Sequence, residues 1–297
     1  MPVGRIVRPV LGLLLMGALA GCGQQYAVLD PAGPVGASEL HLIVLSSLAM
    51  AIVIAFVYVV FVYVIWRFRE RPGREAPYVP DWSGDHRLEI LWFIIPAVLL
   101  TVIAVPTVQE TYALAQIPPA RHRVVIDVTS FDWKWLFQYP AQHVATVNYA
   151  VIPTRVPVLF RLTANSPMNA FWVPRLGGME YAMPGRVLPI WLQANTAGRY
   201  WGHSGQFSGV GFERMFFYIR AVNAGRFQSW ARRIHRQVRP MTLADFRGLL
   251  HPEVVGLFTY GGYPRETFPS ESHGFSLEGG MYTVYPHRAP EKTEPAQ

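Results

Sequence analysis

Leu42–Trp66 is a run of 25 residues without an Asp, Glu, Lys or Arg. A helix rising about 1.5 Å per residue crosses a hydrocarbon core of roughly 30 Å in about 20 residues, so this run spans a bilayer with some tilt. Ile90–Val108 is a second uncharged run, of 19 residues. Pro96 and Pro106 interrupt it, which membrane helices tolerate where neighbouring groups re-satisfy the freed backbone. Helices are therefore expected at about 42–66 and 89–108. Arg67, Arg69, Arg71, Arg74 and Arg87 lie in the connection, and no Lys or Arg stands between Cys22 and the first run. The positive-inside rule puts the 67–87 loop in the cytoplasm and both ends of the hairpin outside. Only 15% of the residues are charged. Soluble domains average about 25%, and two spans account for the deficit.

The segment ahead of the hairpin reads as an address. Arg5 and Arg8 precede the apolar run Val10–Ala20, the charged and hydrophobic regions of a secretory signal. Leu19-Ala20-Gly21-Cys22 resembles the bacterial lipoprotein cleavage box, where cleavage precedes the cysteine and its sulfur takes the lipid. Cys22 is the single cysteine of the chain. Once acylated, it leaves the mature protein with no thiol and no possible intramolecular disulfide. The expected plan is a signal over 1–21, then a lipidated N-terminus and membrane hairpin over 22–109.

From about Arg121 the hydrophobic pattern changes to period two. VVIDVTSFDWKW, ATVNYAVI, VPVLFRLTA, RVLPIWLQA and ERMFFYIRA are short, rich in β-branched and aromatic residues, and separated by Pro, Gly and Asn. Such a series predicts an antiparallel sandwich or barrel over 110–222. Beyond it, Phe227, Trp230, Ile234 and Val238 recur at helical spacing, and Thr242 with Asp245 forms a capping pair for a second short helix. A helical extension is thus expected over 223–260. The Pro, Gly and charge that follow predict a mobile tail over 261–297. There is no internal repeat and no Gly-rich phosphate loop. The net charge is +7. Nucleic acid is excluded as a partner because the globular part lies outside the cytoplasm. Between Glu110 and Pro290, 18 Lys and Arg face 10 Asp and Glu, a surface suited to lipid headgroups, propionates or a protein partner.

The motifs resemble those of subunit II of the haem–copper respiratory oxidases. His86-Arg87-Leu88-Glu89-Ile90-Leu91-Trp92 with Pro96 is similar to the start of that subunit's second helix. Asp132-Trp133-Lys134-Trp135-Leu136-Phe137 is similar to its aromatic stretch. Phe171-Trp172-Val173-Pro174-Arg175-Leu176-Gly177 and Met183-Pro184-Gly185-Arg186 resemble its segments that dock on subunit I. Tyr200-Trp201-Gly202 leads into a loop in register with the family's copper loop. The resemblance implies a cupredoxin-like sandwich, with Trp172, Pro174 and Arg175 at the subunit I interface.

The copper-bearing members carry C-x-E-x-C, then H, then M in that loop, and one His just before F-W-V-P. This chain has Ser204, Gln206, Ser208 and Phe212 there, Asn169 upstream, and only Met215 of the ligands. A binuclear copper centre needs two bridging thiolates, which hydroxyls do not replace. The pattern, with DWKWLFQYP followed by ATVN, resembles the cytochrome bo-type ubiquinol oxidases, whose subunit II keeps the fold without the copper. The resemblance implies no cofactor or metal in this chain, with haems and copper in subunit I. It implies subunit I, smaller subunits and membrane lipid as partners, quinol met through subunit I, and no cytochrome c. It places Glu89 at the mouth of a proton-uptake channel. An intramembrane-boundary carboxylate is a functional candidate in its own right, though a helix-start acid also favours the helix dipole. Two alternatives stand beside this reading. One is a cytochrome c oxidase subunit II with a degenerate copper site; the other is a free-standing cupredoxin-fold lipoprotein that binds or assembles.

Overall fold

A computed structural model describes residues 26–69, 84–119, 121, 123–165 and 167–268, together with the backbone of 282–283. Cys22, the signal and most of the 67–87 loop fall outside the described residues.

The first membrane helix, α1 (Pro34–Phe68), starts with Pro34 in its opening turn, where the missing N–H costs nothing. The second, α2 (His86–Ala115), runs through Pro96 and Pro106 and is N-capped by Asp85, whose carboxylate accepts from the Arg87 amide at 2.8 Å. Both are longer than the uncharged runs that announced them. Most of their apolar side chains are exposed, as lipid-facing helices require. Leu42, Leu45 and Ala49 on α1 and Leu99, Ile103 and Pro106 on α2 recur at helical spacing as buried or partly buried positions of two helices that pack together. Hydroxyls inside the helices return to their own backbone: Thr101 bonds Ala97 O and Thr107 bonds Ile103 O, each at 2.8 Å.

The β-domain is a two-sheet sandwich with a cupredoxin-like fold. In chain order its strands are β1 (Val124–Phe131), β2 (Lys134–Tyr139), β3 (Val144–Val147), β4 (Tyr149–Pro153), β5 (Val158–Ala164) and β6 (Asn169–Trp172). There follow β7 (Met179–Ala182), β8 (Arg186–Leu192), β9 (Gly198–Ser204), β10 (Phe216–Val222), β11 (Phe258–Tyr260) and β12 (Tyr282–Thr283). One sheet has the order β11-β3-β2-β1-β5-β8-β12 and the other β4-β10-β9-β6-β7. Two pairs, β1 with β5 and β4 with β10, are parallel, where antiparallel pairing was expected throughout.

Two of the expected strands are in fact pairs. VVIDVTSFDWKW folds back on itself at Asp132-Trp133, and ATVNYAVI changes sheet at Asn148. Neither break shows a Gly or Pro, because each uses a residue at positive φ: 65° at Trp133 and 60° at Asn148. Asn enters this region more readily than most residues. Its amide then fixes the crossing, accepting from the Trp135 N–H at 2.9 Å and donating to Val255 O at 2.8 Å.

Inner faces meet in an aromatic core of Trp135, Phe137, Phe160, Phe171 and Phe217, all fully buried. The outer face of the first sheet is covered too. Helices α3 (Ala224–Gln237) and α4 (Leu243–Leu249) follow β10, and α4 opens with the Thr242–Asp245 capping box. Phe131, Leu136, Ala145 and Val147 are buried there against Met241, Leu249 and Tyr260. The tail expected from residue 261 is corrected over 261–268. Gln138 Nε2 donates to Thr267 Oγ1 at 2.7 Å, and the Phe268 ring lies 5.4 Å from the Arg161 guanidinium. Beneath it Arg161 grips Asp127 with two bonds of 2.6 and 2.9 Å. The contacts of Thr267 and Phe268 hold the segment against the sheet.

Candidate functional site

The loop between β9 and β10 gathers the residues singled out in the sequence. Ser204, at the end of β9, is buried, and its Oγ lies 3.1 Å from both Asn169 Oδ1 and Gln206 O. One of these takes its single proton, while the Ala170 amide donates to the same oxygen at 3.3 Å. Asn169, fully buried on β6, donates from Nδ2 to Pro167 O at 3.0 Å and towards Ser130 Oγ at 3.4 Å. Further along, Ser208 Oγ points at the thioether sulfur of the buried Met215, 3.9 Å away. Phe212, in a short 3-10 turn, lies against Phe207 with ring centres 5.5 Å apart.

Trp133 fixes the loop from the facing turn. Its indole N–H donates to Ser208 O at 3.0 Å. A Cβ at Gly211 would stand 2.2 Å from the ring, so the loop backbone lies flat on the indole only because that position is Gly. The strain of a Trp in the left-handed region is offset by this contact.

The fold family implies a copper site at this end of the sandwich. The donors here are two hydroxyls, an amide and a thioether, with a phenyl ring where an imidazole would be needed. The hydroxyl and amide groups already satisfy one another. This set does not fit a copper ion that requires thiolate and imidazole. Among the described residues no group of three or more His, Cys, Asp or Glu could hold a metal ion.

The expected docking residues divide. Trp172 is half-buried on the outer face of the second sheet, with its ring 5.1 Å from His203, which in turn stacks on Trp201 at 4.5 Å. Phe216, Trp201, Tyr181 and Met179 are exposed on the same sheet. Their alternation with buried Phe217, Gly202 and Ala182 was the overlooked sequence signal. Burial raises the pKa of Glu180 beside them, partly offset by the hydrogen bond from the Tyr181 amide. Pro174 is buried, and Arg175 turns to its own chain. It donates from Nε to Asp30 O at 3.0 Å and from Nη2 to Asp30 Oδ2 at 2.6 Å. Around it the Ala32 amide donates to Arg175 O and the Gly36 amide to Leu176 O, at 2.6 and 3.0 Å. Gly177, at φ 90°, lies so close that a Cβ would stand 2.4 Å from Gly36 N.

Glu89 sits apart from all of this, in the first turn of α2. Its Oε2 is 2.9 Å from His86 Nδ1, a partner the sequence reading did not assign. The spacing of three residues on a helix was the available signal.

The profile described as "Cytochrome C oxidase subunit II, transmembrane domain" matches residues 27–109, and "Cytochrome C oxidase subunit II, periplasmic domain" matches 137–222. "Quinol oxidase subunit 2" of Bacillus cereus is 40% identical over 257 residues, covering 86% of this chain and 88% of that protein. "Cytochrome bo(3) ubiquinol oxidase subunit 2" of Pseudomonas putida is 36% identical over 249 residues, covering 83% and 77%. Among solved structures, the periplasmic domain of subunit II of cytochrome oxidase (CoxB) of Bradyrhizobium japonicum is 24% identical, covers 39% of this chain and 95% of its own, and has a TM-score of 0.38. With two apolar membrane helices, a cupredoxin-like domain and relatives of this closeness over most of its length, the chain belongs to the oxidase subunit II family, in the group of the quinol oxidase subunits 2.

Proposed function

We propose that the chain is subunit II of a proton-pumping ubiquinol oxidase of the bacterial inner membrane. Such a complex oxidises quinol, reduces dioxygen to water and moves protons outward. One observation carries the reading. The metal-loop positions are filled by hydrogen-bonded pairs, Asn169 with Ser204 and Ser208 with Met215, on a loop that is otherwise held in shape. Cytochrome c delivers electrons from water and needs a relay at this loop. A quinol dissolved in the bilayer reaches a haem in subunit I without one, so the loop serves as scaffold. Haems, copper and quinol chemistry belong to subunit I in this reading, and the aromatic face around Trp172 docks onto it. Arg175, bonded to Asp30, holds the β6–β7 loop beside the start of the membrane helix, and with Pro174 it borders the same docking surface.

Glu89 is assigned the role of a proton-entry group, oriented by His86 at the cytoplasmic end of α2. In the purified complex, ubiquinol should drive oxygen uptake and reduced cytochrome c should not. In the same assay Glu89→Gln should lose about tenfold, below the ~10²-fold typical of an obligatory proton-transfer group, because water substitutes at a channel mouth. Glu89→Asp should lose less, and haem content should stay constant. Uptake driven by cytochrome c would make the chain a cytochrome c oxidase subunit II with a degenerate copper site; full activity in Glu89→Gln would leave Glu89 a helix-start charge.

A lipid on Cys22 completes the proposal. Mass spectrometry of the mature N-terminus should find the acyl groups. Cys22→Ser should block that processing while α1 and α2 keep the protein in the membrane. Release of the variant into the soluble fraction would overturn the two-span reading.

A further inference from the structure

Between Arg220 and Arg239 the chain carries six arginines and no Asp or Glu. Arg239 is engaged by Asp245 through bonds of 2.7 and 2.9 Å. The other five are exposed, and none forms an ion pair among the described residues. Three of them converge. Arg226, Ser229, Trp230 and Arg233 stand at i, i+3, i+4 and i+7 of α3, a single stripe of helix surface. Arg220 reaches the same place from β10, where its register partner on β4 is Val151. With Val151 and Val222 these residues line a cavity of about 320 Å³. Three guanidinium forks and a hydroxyl stand over a floor of two valines and an indole. Forked, permanently charged donors match the oxygens of a phosphate.

The cavity lies at the end of the sandwich that is joined to the membrane hairpin. At one end of α3, Val222 O accepts from the Thr154 amide, the Arg155 amide donates to Ala194 O, and the Asn195 amide donates to Ala32 O, each at 2.8 Å. Ala32 is two residues ahead of α1. At the other end, His235 Nδ1 lies 2.8 Å from Gly261 O and 3.4 Å from His143 O, in the β2–β3 turn. Residues 140–142 of that turn share a second cavity with Arg123 and Val124, eight and nine residues beyond α2. Helix α3 therefore closes the end of the sandwich at which the chain leaves and re-enters the membrane. Phe227 and Ala231 face inward, which leaves the arginine stripe outward.

We propose that this cavity binds the phosphate of an anionic phospholipid in the adjoining leaflet, with Trp230 against the glycerol region, where indoles favour the membrane interface. The proposal rests on the membrane reading given above. Each guanidinium that bonds the phosphate within the cavity contributes roughly a tenfold gain in binding, and an arginine outside the cavity makes no such bond.

The test uses the full chain in its complex, stripped of lipid in detergent and titrated with phosphatidylglycerol or phosphatidylcholine, with bound lipid counted by native mass spectrometry. The native chain should hold phosphatidylglycerol in preference. Arg226→Gln with Arg233→Gln should weaken it by about tenfold or more. Arg232→Gln with Arg236→Gln removes the same charge from the same helix outside the cavity and should cost less than about twofold. Equal losses in the two variants would mean a diffuse field rather than a site, and no loss in either would also overturn the proposal. Inorganic phosphate binding without phosphatidylglycerol would overturn the lipid source. Crosslinks from position 233 to an acidic protein segment in place of lipid would do the same. Failure of the membrane reading shows separately, as extraction of the native chain by alkaline carbonate.

Discussion

A chain carrying Ser204→Cys, Gln206→Glu, Ser208→Cys, Phe212→His and Asn169→His together is expected to bind copper stoichiometrically, with strong thiolate charge-transfer absorption. The unsubstituted chain and each single variant should bind none tightly. Two thiolates must bridge the metals, so any partial set leaves a soft ion among hydroxyls and a phenyl ring. The geometry favours the full set. Asn169 and Ser204 already meet, Ser208 already faces Met215, and the thioether remains in place. The support from Trp133 runs to the backbone carbonyl of Ser208 and survives every one of these substitutions. Losing the Asn169 bonds to Pro167 and Ser130 costs about 1–3 kcal/mol each at most. Closed thiolate sites return on the order of 10 kcal/mol on binding metal. Metal analysis with visible spectroscopy decides the matter. Tight copper in the unsubstituted chain would show that the present donors suffice.

The second large effect is expected at Phe171. Its ring stacks on Phe217 at 4.9 Å and 12° and stands within 5.2–6.3 Å of Phe160, Trp135 and Phe137. Phe171 comes from one sheet and three of these partners from the other, so its removal opens a hole where the sheets meet. Phe171→Ala should cost about 3–5 kcal/mol, a large part of the ~5–15 kcal/mol that holds a typical domain together. Phe171→Leu keeps part of the volume and should cost about half as much. As a control, Phe207→Ala, on a ring that is 74% exposed, should change stability by less than about 0.5 kcal/mol. Tryptophan fluorescence during thermal unfolding of the detergent-solubilised chain reads all three, with a fall of about 10 °C expected for the first. Equal melting of Phe171→Ala and Phe207→Ala would remove Phe171 from the centre of the core.

What could be read in advance followed from periodicity. Uncharged runs announced α1 and α2, alternation announced most strands, and the Thr-x-x-Asp spacing announced the box that caps α4. The turns at Trp133 and Asn148 were invisible because a bulky residue or an Asn there does the work usually given to Gly. The packed stretch 261–268 looked like tail because its contacts, to Gln138 and Arg161, are with residues more than 100 positions away. At the loop, the identities of Ser204, Ser208 and Asn169 were informative without coordinates, since donor chemistry depends on residue type. Their pairing was not. Arg175 illustrates the opposite case: an exposed-looking cation in a docking motif whose hydrogen bonds go back to Asp30 of its own chain.

That last contact has a mechanical side. Backbone bonds from Ala32 and Gly36 to Arg175 and Leu176, the bond from the Gly178 amide to Glu39, and the glycine contact at Gly177 leave no slack between α1 and the β6–β7 loop. Most membrane-tethered domains swing on a linker. Here the first turn of the membrane helix is itself part of the domain's surface, so a tilt of α1 in a thicker or thinner bilayer turns the sandwich by the same angle. The aromatic face on β6 and β9 is then aimed by the lipid thickness as well as by the fold.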